Sequence, residues 1–232
     1  MKIQVWSDIM CPFCYIAKKN FEKALENSPF KNEVEVEWKS FQLDPGFRER
    51  SGSMPIADYF MKQKGFSQSQ LLQFQAQLKQ MGEASGITFN QDRTIAADTF
   101  TAHKLLHLAK EYHKADAMEE ALFVAHFVNG KDIGDIDFLV SLAGEMGLDE
   151  DKTRKVLSNE QYNYEVQQDI MEARNLGISG VPYYVLDGKY GISGAQPAET
   201  FQKALQQTYS ERLVSLTPES NDTVCGPDGC SI

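Results

Sequence analysis

The stretch Lys2-Ile3-Gln4-Val5-Trp6-Ser7-Asp8-Ile9-Met10-Cys11-Pro12-Phe13-Cys14 decides how this chain is read. Lys2 to Ser7 alternates Ile3 and Val5 with polar neighbours and carries Trp6, the pattern of a strand that stops at Asp8. A helix is expected from Pro12 to Asn27. There Ile16, Ala17, Phe21, Ala24 and Leu25 recur with near-helical spacing, and a first-turn proline is tolerated. Two cysteines separated by two residues therefore stand at a strand-to-helix junction. They can close a small disulfide ring, and the first lies where free backbone N–H groups and the helix dipole favour a thiolate. Cys11 is the expected nucleophile. Cys14, one turn further in, is expected to be more buried and to resolve a mixed disulfide between Cys11 and a substrate. Pro12 and Phe13 bring neither charge nor a side-chain hydrogen bond, so backbone amides must supply the thiolate stabilisation. The competing reading is half of a zinc site, completed by Cys225 and Cys230; a strand, Cys-Pro-x-Cys and a helix in that order favour redox chemistry.

Outward from this motif, Glu33 to Phe41 alternates again, with Val34, Val36 and Trp38 on one face, so the first 41 residues read as a β-α-β unit. Turn-formers Asp44-Pro45-Gly46 and Ser51-Gly52-Ser53 mark a boundary. From Pro55 to about Asn175 the spacing is helical, as in Leu71, Leu72, Phe74 and Leu78, with breaks at Gly65-Phe66-Ser67, 85–93, Asn129-Gly130 and 144–149. These breaks divide the block into about five or six helices. Strand character returns at Val181 to Leu186, turns at Asp187-Gly188 and resumes at Lys189 to Ile192, a hairpin. A last helix is expected from Pro197 to about Leu213, with Phe201, Leu205 and Tyr209 four apart. The order β-α-β, helices, β-β-α is the plan of an α/β thioredoxin fold with a large all-helical insertion domain. The expected divisions are 1–53 and 161–213 for the two halves of that fold, 54–160 for the insertion, and 214–232 for a flexible tail.

With 232 residues and 42% apolar content the chain can bury a sizeable core without disulfides. Its four cysteines form two close pairs rather than the dispersed framework of a small secreted domain. A net charge of −10 argues against a nucleic-acid partner, since phosphate binding draws on Lys and Arg. No apolar stretch is long enough to cross a bilayer, and Met1 to Asp8 enters a strand with no signal core, so a cytoplasmic location is expected.

In Gly180-Val181-Pro182-Tyr183-Tyr184 the proline precedes strand residues, where a cis peptide and an ordinary trans one are equally open. The chain resembles the DsbA-like thioredoxin family, and within it the cytoplasmic FrnE-like branch, in Ser7-Asp8-x-x-Cys11-Pro12-x-Cys14-Tyr15 and Gly177-x-x-Gly180-Val181-Pro182. The resemblance implies a cis Pro182 against the cysteine pair, a Val181 backbone that pairs with substrate, and disulfide exchange or isomerisation on protein or small-molecule thiols. It also implies a helical insertion and a C-terminal second pair like Cys225 and Cys230. The chain departs from periplasmic DsbA in having Phe13 where that protein has histidine. No cofactor is expected beyond glutathione as a co-substrate, and monomer and homodimer are both left open. Another function fits the same resemblance: a glutathione-dependent isomerase or transferase, similar to 2-hydroxychromene-2-carboxylate isomerase and the kappa-class glutathione transferases, which use serine at the position of Cys11. A third is a binding or holdase module around a zinc or a vestigial pair.

Cys225 and Cys230 either relay electrons to or from Cys11 and Cys14, since a tail of about 15 flexible residues reaches roughly 20 Å, or form an inert tail disulfide, and the two readings are equally open. Turnover unchanged by Cys225→Ser would remove the relay. His103 and His107 are four apart on one helix but lack a third ligand, and are read as satisfied histidines. Phe47, Phe60, Phe66, Phe74, Phe89, Phe123, Phe127 and Tyr59 offer a groove for apolar substrates, most of them serving the core. The acidic runs Glu33/Glu35/Glu37 and Asp149-Glu150-Asp151 are read as solvated faces.

Overall fold

The computed structural model describes residues 1–47 and 53–216, with side chains to residue 212. Cys225 and Cys230, and with them both readings of that pair, lie outside the described residues. The chain opens with β1 (Lys2–Ser7), α1 (Pro12–Glu26) and β2 (Glu35–Ser40). β2 begins two residues later than its alternation suggests, because Lys31–Glu33 closes a 3-10 turn. Next come a two-residue strand β3 (Met54–Pro55), a helical stretch from Ile56–Asp58 into a π-turn Tyr59–Gln63, and α2 (Gln68–Ala84). After β4 (Ile95–Ala96) follow α3 (Phe100–Glu111) and α4 (Ala115–Phe123), the latter prolonged by a π-turn at Val124–Val128. α5 (Ile136–Glu145), α6 (Glu150–Ser158) and α7 (Asn163–Asn175) lead to β5 (Tyr183–Leu186), β6 (Tyr190–Ser193) and α8 (Ala198–Leu216).

Four strands form one sheet in the order β2-β1-β5-β6, with β1 parallel to β2 and antiparallel to β5. The period-2 pleat explains why both faces of β1 are buried. Val5 lies opposite Trp38 and Tyr184, and Tyr184 opposite Ile192. This row packs under Ala17, Phe21 and Ala24 of α1 and Phe201 and Leu205 of α8. Burying a side chain such as Phe201 contributes roughly 1.5–3 kcal/mol. Trp6, next along β1, points to the opposite face, where it meets Ala173 and Ile178. Its Nε1–H donates to the Asp169 carbonyl at 3.0 Å.

The expected breaks between helices fall where turn chemistry marks them. Ser67 caps α2 in a capping box with Gln70. Asp149, one of the residues read as solvated, accepts the Lys152 N–H at 2.6 Å and caps α6. Two joints carry no glycine or proline. One is the α3–α4 turn at His113, φ 54°; the other is the α6–α7 turn at Tyr162, φ 64°. The insertion is also not wholly helical, since β3 pairs antiparallel with β4. Two residues per strand are too few to leave an alternation in the sequence. Glu37 is likewise not a free solvated acid: Lys2 and Lys39 lie 2.8 and 3.1 Å from it. Burial opposes its charge, but the two lysines outweigh that and lower its pKa.

The helices after β2 do not form a separate core. One apolar cluster runs from Ile9, Cys11, Cys14, Tyr15 and Ile16 into Leu105, Leu108, Leu122, Phe123 and Leu139. The cysteine pair therefore sits where the sheet, α1 and the helical block meet.

Candidate redox site

Beyond β1 the chain turns through Asp8, Ile9 and Met10, and the Cys11 N–H closes the turn onto the Asp8 carbonyl at 2.9 Å. Cys11 is the N-cap of α1, extended at φ −93° and ψ 107°, and Pro12 takes the first helical position. No side chain caps the helix by hydrogen bonding, and its first turn has no acid. The Cys11 thiol is thus the side chain at the end of α1 where unpaired N–H groups and the helix dipole favour negative charge. Both thiols are free, with Cys11 3% and Cys14 1% exposed.

The Val181–Pro182 peptide is cis, and the Cys11 Sγ lies 3.6 Å from the Val181 carbonyl oxygen. Cys11, Pro12, Cys14, Val181 and Pro182, singled out in the sequence, are thereby assembled at one place. Phe13 is turned aside, packed edge-on against Phe74 at 6.1 Å between ring centroids. Phe74, Phe60, Phe89 and Phe127 line a narrow apolar slot of about 30 Å³ beside Met10 and Pro12, so four of the singled-out aromatics do border the site. As it stands this slot has room for about one water. Phe47, Tyr59 and Phe123 are buried in the core instead.

Beneath the cysteines lies a set of buried polar groups that motif reading does not reach. Burial, reinforced by the Cys11 sulfur, pushes the Cys14 thiol well up, while the Asp8 backbone and the Ser7 side chain act the other way. The fully buried Asp8 carboxylate accepts the Leu43 N–H at 2.7 Å and the Met10 N–H at 3.3 Å, tying the loop after β2 to the motif. His103 Nε2 lies 2.8 Å from the Phe41 carbonyl and 3.7 Å from Asp8. Burial alone would lower its pKa, but the Asp8 hydrogen bond and charge outweigh it and the net shift is upward. The Ser7 hydroxyl donates to Glu119 Oε1 at 2.7 Å, and Glu119 is fully buried. Burial lifts this carboxyl to about 7.

His107 does not share a site with His103. It lies 3.1 Å from Asp169 and 3.2 Å from the Ser40 hydroxyl, in a network with Lys39 that ties α3 and α7 to β2. Both histidines are buried or nearly so and neither shares a ligand with the other, but only the Nε2 of His103 is paired; its Nδ1 is buried without a hydrogen-bond partner. A periodicity signal for Glu119 does exist: Leu122, Phe123 and His126, at spacings of three, four and seven, put it on the apolar stripe of α4.

Residues 2–206 match the model of the DSBA-like thioredoxin domain. A Bacillus subtilis protein, the uncharacterized YwbO, is 30% identical over 213 residues, spanning 90% of this chain and 98% of its own. The crystal structure of a probable DsbA oxidoreductase from Streptomyces coelicolor superposes with a TM-score of 0.87 at 40% identity, covering 100% of this chain and 99% of that one. The cytosolic disulfide reductase DsbM from Pseudomonas aeruginosa, in its structure with GSH, shares the fold at a TM-score of 0.66 and 16% identity, over 90% of this chain and 100% of that one. Among the described residues no helix is long and apolar enough to cross a membrane. On the family model and these relatives, the chain belongs to the DsbA-like thioredoxin family.

Proposed function

We propose that the protein is a thiol–disulfide oxidoreductase in which Cys11 attacks a substrate disulfide and Cys14 resolves the resulting mixed disulfide. The observation that carries this reading is the placement of the Cys11 thiol at the N-terminus of α1, 3.6 Å from the Val181 carbonyl, with Cys14 buried behind it. A thiolate at a helix N-terminus is a stabilised nucleophile and a good leaving group. A thiol with a raised pKa in the protein interior suits the second step, since solvent disulfides do not reach it. Protein or small-molecule disulfides are the substrates, with glutathione as the small thiol that exchanges with Cys11, in a cytoplasmic setting.

The test is a glutathione redox titration with thiol trapping and mass spectrometry. Reversible formation of a Cys11–Cys14 disulfide within the glutathione range, and complete loss of exchange in Cys11→Ser, are the expected results. A pair that forms no intramolecular disulfide at any poise would sink the reading.

A further inference from the structure

α7 presents two faces. Asp169 and Glu172 turn toward the sheet, where the Lys39 ammonium lies 3.0 and 3.1 Å from them. Ile170 and Arg174, four apart, share another face. They line a groove of about 250 Å³ together with Phe41 and Pro45 of the loop after β2 and with Ile178 and Ser179. Both walls are held from within. The Phe41 N–H donates to the Ser7 carbonyl at 3.0 Å and the Leu43 N–H to Asp8 at 2.7 Å, so that loop is tied to the residues leading to Cys11. The Ile178 N–H closes the end of α7 onto the Ala173 carbonyl at 2.8 Å. From Ser179 the chain runs two residues, about 7 Å when extended, to Val181, whose carbonyl oxygen is 3.6 Å from the Cys11 sulfur. Along that run, among the described residues, no main-chain carbonyl accepts from the N–H of Ser179, Gly180 or Val181. The groove thus continues toward the reacting thiol along unpaired backbone. Arg174 is exposed and makes no ion pair among the described residues, because the acids nearest it in sequence, Asp169 and Glu172, are held by Lys39. The helix dipole favours a cation in the last turn of α7, but does not require it to line a groove.

We propose that this groove receives an extended segment of a polypeptide substrate, and that Arg174 sets its specificity by pairing with an acidic side chain two residues from the substrate cysteine. This rests on the disulfide-exchange reading above and names the substrate class for it. A substrate strand laid along Ser179 to Val181 can pair with their free N–H groups, the main-chain mode by which extended peptides dock. In such a strand every second side chain points the same way, at about 7 Å spacing. A cysteine held at Cys11 therefore places the side chain two residues away over Ile178 and Ser179, at the mouth of the groove. The rings of Phe41 and Pro45 and the Ile178 side chain offer apolar cover to its methylene groups. The Arg174 guanidinium offers a planar fork of donors that fits a carboxylate. Glutathione extends only one residue to either side of its cysteine, so the spacing between the thiol and Arg174 suits a longer chain. No element of the first 41 residues alone builds this wall: α7 supplies the cation, and the loop after β2 supplies the apolar face.

The test uses the full chain, reduced, with Cys225 and Cys230 replaced by serine so that release reports Cys11. The substrates are end-blocked peptides whose single cysteine is joined by a disulfide to a coloured aryl thiol. They differ only in carrying Glu, Gln or Lys two residues from that cysteine, on either side. With Arg174 present, kcat/KM for the Glu peptide is expected to exceed that for the Gln peptide by about 5-fold, the upper end for an exposed ion pair. Raising NaCl to about 0.5 M should shrink that ratio, as screening requires. Arg174→Gln is expected to bring the ratio to about one, and Arg174→Glu to reverse it in favour of the Lys peptide. Equal values for the Glu and Gln peptides with Arg174 present, or a preference that survives Arg174→Gln, overturns the proposal. Reaction with oxidised glutathione, followed by thiol trapping, is the control for the occupant. A fall there in Arg174→Gln as large as that for the Glu peptide assigns the guanidinium to glutathione carboxylates and overturns the polypeptide reading. If no peptide and no glutathione disulfide reacts at Cys11, disulfide exchange itself fails, and the groove's role falls with it.

Discussion

His126 supplies the sharpest test of the electrostatics under the site. It lies in the π-turn that prolongs α4, is 0% exposed, and neither ring nitrogen makes a well-formed hydrogen bond. Burial pushes the imidazole down to about 4, with the Lys131 backbone and the charges of Asp8 and Asp132 offsetting only part of that. The unfolded chain binds a proton at this residue below about pH 6.5, whereas the folded chain does not until about pH 4. A depressed folded value means that stability is fully present above the unfolded pKa and is lost as pH falls toward the folded one. Between pH 7.5 and 4.5 the linkage integral for one such group is about 2.5 kcal/mol, at about 1.36 kcal/mol per pKa unit. Total stability does not show this directly, because Glu119, raised to about 7, takes up a proton on folding in the same range and acts with the opposite sign. The quantity to measure is the difference between wild type and His126→Leu in urea unfolding at the two pH values. Wild type is expected to lose about 2.5 kcal/mol relative to the variant on going to the lower pH. A difference that stays constant within about 0.5 kcal/mol would refute a buried, uncharged His126.

Three other outcomes follow from the same structure. Asp169, held at about 2 by His107, Lys110, Lys39 and the Ser40 N–H against the opposing effect of burial, stabilises the fold at neutral pH. Because its pKa is depressed, Asp169→Asn should cost about 2 kcal/mol at pH 7 in urea unfolding, with the gap closing as pH falls from about 4 toward 2. Gly130 has φ 65°, and a Cβ there would stand 2.6 Å from the Arg93 carbonyl oxygen. Gly130→Ala is therefore expected to cost about 2 kcal/mol or more, read as a fall in thermal midpoint. With Cys225 and Cys230 both replaced by serine, Cys14→Ser keeps the nucleophile and removes every other thiol, so incubation with oxidised glutathione should yield a stable one-to-one adduct on Cys11 by mass spectrometry; no adduct would contradict the assigned roles.

The parts of the molecule legible in the sequence are those whose cause is local. Alternation in Lys2–Ser7, the apolar spacing of α1 and the turn residues after β2 specify β1, α1 and β2 within about 40 residues, and the cysteine pair falls at their junction. What stayed hidden depends on distant packing. Glu119 is separated from Ser7 by 112 residues along the chain, and Asp8 from Leu43 by 35. In sequence Glu119 sits beside Glu120, which resembles an ordinary solvated pair. Only the face it shares with Leu122 and His126 sets it apart, and that face is blurred where the π-turn shifts the helical register. His103 and His107 have helical spacing suited to shared ligation, yet each is drawn to a different carboxylate on a different element.

That pattern bears on what the helical block does. If it served only to shape a substrate surface, its interior toward the sheet would need nothing but apolar side chains, since polar groups there must each find a partner or raise the energy of the fold. Instead Glu119 and His103 point at Ser7 and Asp8, the residues that end β1 and lead to Cys11. Ser7 and Asp8 in turn offset part of the effect of burial on the Cys14 thiol. Keeping a carboxyl without a salt bridge in this interior is unfavourable by desolvation, and that desolvation is also what brings its pKa near neutrality. An apolar Glu119→Leu variant should on this argument be at least as stable as the wild type in urea unfolding, and a loss of more than about 1 kcal/mol would show that the carboxyl is held for stability through its bond to Ser7.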